Sequence, residues 1–119
     1  MEFPVEIWLR GDHHATTEII APVTCEPNAW TDGDVAAVLV GMLRALDRAK
    51  NPEAPGDRPV ALRGFSWIVN PFENSGVVIA LEMSLGAAVA GPFDISERDL
   101  TARIQRVMSA ERAVRETVH

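Results

Sequence analysis

Val60-Ala61-Leu62-Arg63-Gly64-Phe65-Ser66-Trp67-Ile68-Val69, followed by Asn70-Pro71-Phe72-Glu73-Asn74-Ser75-Gly76 and then Val77-Val78-Ile79-Ala80-Leu81-Glu82-Met83-Ser84-Leu85, decides how this chain folds. Two runs rich in β-branched and aromatic residues flank a segment of Asn, Pro, Ser and Gly, which is the composition of a hairpin and its connection. Pairing the runs about that loop places Phe65, Trp67, Val69, Val77, Ile79, Leu81 and Met83 on one face, the natural sheet side of a core. Leu62, Gly64, Ser66, Ile68, Val78, Ala80, Glu82 and Ser84 fall on the other, with Glu82 roughly opposite Gly64.

Working outward toward the N-terminus, Val5, Ile7 and Leu9 alternate with Glu6, Trp8 and Arg10, the period of a strand with one buried side. Gly11-Asp12-His13-His14 supplies a turn, and Thr16-Thr17-Glu18-Ile19-Ile20 resumes extended chain toward Val23, so a first hairpin spans residues 4 to 23. Thr31 then caps a helix that runs to about Lys50. Asn51 to Pro59 holds three prolines and a glycine and reads as a surface loop. Beyond the second hairpin, Ser96 opens another helix with Leu100, Ile104, Val107, Met108 and Val114 at helical spacing, and Glu111 and Arg115 four apart in the favourable order.

The expected fold is therefore α+β, a two-layer sandwich of an antiparallel sheet of about four strands and two helices in ββαββα order, forming one domain over residues 1–119. Both helices are expected on the same face of the sheet. The two helix starts match, Trp30-Thr31-x-x-Asp34-Val35 against Ile95-Ser96-x-x-Asp99-Leu100. Good capping chemistry explains this without a duplication, because the strands show no residue-by-residue similarity.

Composition narrows the function classes. Apolar residues at 47% and charged residues at 24% describe an ordinary globular domain. A net charge of -6 repels phosphate backbones and anionic headgroups, so nucleic acid is not an expected partner. The apolar run from Gly76 to Gly91 is too short for a bilayer and interrupted by Glu82, so no membrane partner is expected either. Residues 1–6 have no basic and apolar leader pattern, which makes a cytoplasmic location the expectation. Cys25 is the single cysteine and reads as a small half-buried residue. No disulfide, cysteine-based zinc cluster or cofactor motif is present in the sequence.

Few residues suggest chemistry. Val35 to Leu43 has no polar side chain, so the first helix needs cover on more than one side; Ala37, Gly41 and Ala45 form a small-residue stripe that a second helix or a second subunit can approach. Asp12-His13-His14 is the one cluster of acid–base or ligating types, although adjacent histidines in extended chain point to opposite sides; a polar hairpin turn that tolerates histidine is the favoured explanation, and a site assembled with Glu18 or Glu82 the alternative. His119 is terminal.

Glu82 lies in an apolar strand among small neighbours, where it is either an ordinary carboxylate of a solvated sheet face or a base at the floor of a shallow cleft. The arginines of the last helix are interspersed with acids and read as a solvated face. A non-catalytic binding or interaction module acting as a homodimer, with Glu82 and Trp67 as candidate ligand-binding residues for a possible small molecule, is the favoured expectation. The alternative is a small acid–base enzyme, of hydrolase or isomerase type, using Glu82 with His13 or His14 in an aromatic-lined cleft. No nucleophile elbow or phosphate loop assigns an activity.

Overall fold

The computed structural model describes residues 1–53 and 59–117, the side chains of 114–117 excepted. The elements run β1 (Phe3–Leu9), β2 (Thr16–Ile20), a short 3-10 turn (Pro27–Ala29), α1 (Asp32–Lys50), β3 (Ser66–Pro71), β4 (Val77–Met83), β5 (Gly86–Phe93) and α2 (Glu97–Thr117). The five strands form one antiparallel sheet in the order β2-β1-β5-β4-β3. The two expected hairpins are both present, and β5 joins them by pairing with β1 on one side and β4 on the other.

The fifth strand changes the boundaries of the second hairpin. Extended chain begins at Ser66 rather than Val60, because Gly64 takes a φ of 78° that ends regular pairing before it. Leu62, expected on the outer sheet face, precedes the strand and is buried. The partner of Glu82 is Ser66 rather than Gly64, a shift of two residues that leaves the paired residues of the two strands on their expected faces. At the other end, β4 stops at Met83 and turns through Ser84 and Leu85 into Gly86. Gly86 is required there: a Cβ would overlap the carbonyl oxygen of Trp8, and its φ of 155° disfavours other residues.

Both helices cover the same face. Phe3, Val5, Ile7, Ile79, Leu81, Ala88 and Ala90 point inward from the sheet and meet Val35, Val38, Leu39, Met42 and Leu46 of α1 and Leu100, Ile104 and Val107 of α2. α1 lies over β1, β5 and β2, and α2 lies beside it over β3. Phe93 ties the end of β5 to this core through edge-on contacts with Phe3 at 4.9 Å and Trp30 at 5.0 Å.

Thr31 caps α1 through the amide of Asp34, whose carboxylate accepts in return from the Thr31 amide, a complete capping box. Ser96 accepts from the amide of Asp99 at the start of α2. The helices are clamped at this end by Arg106, which donates to both oxygens of Asp32 at 2.8 and 3.0 Å, and by Arg103, which donates to the Trp30 carbonyl at 3.0 Å.

The apolar girth of α1 is covered from within the chain. Ala45 is buried, and the space beside Gly41 is filled by Ile20 and Pro22, whose atoms lie 3.1 and 3.3 Å from where a Cβ would sit. The small-residue stripe thus receives the β2–α1 connection. Residues 54–58 of the expected surface loop, the Val114 and Arg115 side chains and His119 lie outside the described residues.

Candidate functional site

The sheet face turned away from the helices has no cover among the described residues. Strand alternation sends Pro4, Glu6 and Trp8 of β1, Thr17 and Ile19 of β2, Ala87 and Val89 of β5, Val78, Ala80 and Glu82 of β4, and Ser66 and Ile68 of β3 to this side. Such a face is ordinarily polar. Here Ile19 is 58% exposed, Ile68 51% and Trp8 46%, and Phe72 of the β3–β4 loop, 44% exposed, stands at its margin. One cross-strand row reads Thr17, Glu6, Val89, Ala80, Ile68 and the next reads Trp8, Ala87, Glu82, Ser66. Ala87, Val89, Val78 and Ala80 thus form a low apolar floor interrupted by Glu82, with Trp8, Ile19 and Ile68 on the strands to either side.

Two hollows mark the face. One, of about 310 Å3, lies between Pro4, Glu6, Thr17, Phe72, Val78 and Val89. The other is an open bowl of about 510 Å3 at the opposite end of the strands, lined by Arg10, Phe65, Ser66, Glu82, Met83 and Ser84, with Gly64 at its rim. Arg10 is held in the bowl by a hydrogen bond from its Nε to the Ser84 carbonyl at 2.9 Å, and its amide donates to the Leu85 carbonyl at 3.0 Å. Glu82 has no hydrogen-bond or ion-pair partner among the described residues and shares the cavity with Arg10 without pairing to it.

The two candidate ligand-binding residues are not brought together. Glu82 faces outward into the bowl, whereas Trp67 stands opposite Leu81 on the inner face, half-buried against the core below α2. Adjacent strand positions point to opposite faces, so no single-faced site uses both.

His13 and His14 sit in the β1–β2 turn, at the same end of the sheet as the bowl, but both are exposed and neither lines it. Among the described residues no three His, Cys, Asp or Glu side chains converge as metal ligands. Glu18 faces inward at the edge strand and accepts from Arg48 Nε at 2.7 Å. The residue that sequence reasoning passed over is Arg10: its place on the outer side of the strand pattern was readable, but its sharing a hollow with Glu82 depends on β5.

Cys25 lies apart from this face. Its thiol donates to Asp34 at 3.4 Å, and burial together with that carboxylate pushes its pKa up, which disfavours the thiolate. Among the described residues, no helix is long and apolar enough to cross a membrane. Comparison with family models, with curated proteins and with solved structures finds no match.

Proposed function

We propose that this protein is a non-catalytic interaction module that works as a homodimer, with the open face of the sheet as its working surface. The observation that carries the reading is the set Trp8, Ile19, Ile68 and Phe72 standing in water on a face whose middle is also apolar. Full burial of a large apolar side chain stabilises by about 1.5–3 kcal/mol, so four half-exposed ones leave several kcal/mol available to association.

Five strands of five to eight residues, about 4.8 Å apart with about 3.3 Å per residue, give a face of about 520 Å2 in projection. Two such faces bury about 1,040 Å2, at the threshold of about 1,000 Å2 for a specific interface. A second copy matches the face in size and shape class, because sheets pack on sheets with inner side chains interdigitated about 10 Å apart, and twofold dimers are the commonest soluble assembly. The first helix is a weaker seam, since Ile20 and Pro22 already occupy the space beside Gly41.

The acid–base enzyme is the second reading, and what favours it is the shared location of Glu82 and the β1–β2 turn at one end of the sheet. Against it, the imidazoles lie outside the bowl's lining, which leaves Glu82 without a second proton-transfer group of ordinary range beside it. Light scattering coupled to size exclusion tests the module: the wild type is expected near twice 13.0 kDa, and Ile19→Lys or Ile68→Lys near the monomer mass with unchanged circular dichroism. A wild type that stays monomeric at about 100 μM, a concentration that captures any association tighter than that Kd, overturns it.

A further inference from the structure

We propose that the bowl formed by Arg10, Ser66, Glu82 and Ser84 binds a free α-amino acid, holding the carboxylate on Arg10 and the ammonium on Glu82. Opposite charges that line one cavity ordinarily pair. Here the Arg10 guanidinium is drawn instead to the Ser84 carbonyl, and Glu82 keeps both oxygens free of partners among the described residues. The Arg10 guanidinium and the Glu82 carboxylate thus line one hollow without a contact between them, which leaves each open to a ligand.

A guanidinium anchored through Nε still presents its two terminal nitrogens, the geometry that accepts a carboxylate bidentately. Ser66, directly across from Glu82 in the ladder, offers a hydroxyl beside the carboxylate. Phe65 and Met83 add some apolar atoms to a lining that is mostly polar, so the two charged groups of the ligand, and not its side chain, carry recognition. A volume of about 510 Å3 is within the range of small-molecule sites. An ordinary peptide carries its ammonium at one end and its carboxylate at the other, so a peptide end satisfies one pole and not both.

The inference goes beyond the dimer and does not require it. The bowl is lined entirely by residues of one chain. Calorimetric titration with L-methionine, N-acetyl-L-methionine and L-methionine amide tests it. L-methionine is expected to bind, with at least a tenfold loss for each blocked analogue. Arg10→Gln should weaken L-methionine at least tenfold but leave the amide unchanged, and Glu82→Gln should do the same with the N-acetyl compound as its indifferent ligand.

Both substitutions are on the surface, and circular dichroism checks that the fold is kept. Absence of heat up to about 50 mM, far above a useful Kd, or equal binding of the blocked analogues overturns the proposal. Repeating the titration with Ile19→Lys, on the far edge strand, separates the two ideas: binding by that variant supports the bowl whatever the wild-type mass, and loss of binding overturns the claim that one chain suffices.

Discussion

Gly41 and Gly86 are both single glycines in apolar runs, yet the structure uses them for different reasons. At Gly41 the helix is regular, and the absent side chain makes room for Ile20 and Pro22. Gly41→Leu is therefore expected to destabilise by about 1–3 kcal/mol through overpacking, a fall of several degrees in Tm, with no change of mass in solution. A Gly41→Leu variant that turned monomeric at unchanged Tm would move the interface from the sheet to α1.

At Gly86 the constraint is backbone against backbone, since a Cβ would overlap the Trp8 carbonyl at a φ of 155°. Gly86→Ala should cost about 1–3 kcal/mol or more in a denaturant melt, because neither the strained φ nor the carbonyl can relax without parting β5 from β1. Sequence alone places Gly41 on a small-residue stripe and does not single out Gly86. What they face, a side chain in one case and a neighbouring strand in the other, is a tertiary fact.

The elements differ in how plainly their residues announce them. α1 was legible to within a residue at each end because Thr31 and Asp34 form a local signal and Asn51-Pro52 ends the run. β1 and β2 were legible from alternation and a Gly-Asp turn. β5 was not, because Gly86-Ala87-Ala88-Val89-Ala90-Gly91-Pro92 has weak strand propensity and its turn, Ser84-Leu85, holds none of the Gly, Asn or Asp that mark hairpins. Missing β5 also hid the site: it is β5 that brings Trp8 of β1 and Glu82 of β4 to either side of Ala87.

The capping box itself makes an acid-sensitive element. Asp34 is held below its ordinary value first by the Thr31 amide, and Asp32 first by the hydrogen bond from Arg106. Depressed carboxylates stabilise the fold fully above the unfolded value of about 3.9 and lose that contribution as pH falls through their folded values. Thermal melts from neutral pH down to about pH 2 should therefore show a loss concentrated below about pH 4, and Asp34→Asn should lower Tm at neutral pH while flattening that acid limb. An acid limb of unchanged steepness in Asp34→Asn would show that the box is not its source. Thr31→Ala, which removes the reciprocal acceptor, should cost about 1 kcal/mol.

For the whole molecule, charge and apolar surface pull in opposite directions, and their balance makes the dimer testable without mutation. Each copy carries a net charge of -6, and its open face presents Glu6 and Glu82 among the apolar side chains against Arg10 at one end. Bringing two such faces together sets like charge against like, while Ile19, Ile68, Trp8 and Phe72 supply the attraction.

Salt shortens the reach of the repulsion, to about 10 Å at 0.1 M and about 3 Å at 1 M, and leaves apolar burial intact. Moving toward the pI near 4.9 removes the net charge altogether. Association through this face should therefore strengthen as sodium chloride rises from about 0.02 to 0.5 M, by about tenfold in Kd if screening recovers about 1.4 kcal/mol, and strengthen again between pH 7.5 and about 5.5. A basic partner bound to the same acidic, apolar surface would show the reverse salt dependence. Sedimentation equilibrium across that salt range decides between them: a dimer that loosens as salt rises rests on ion pairs and not on the sheet face.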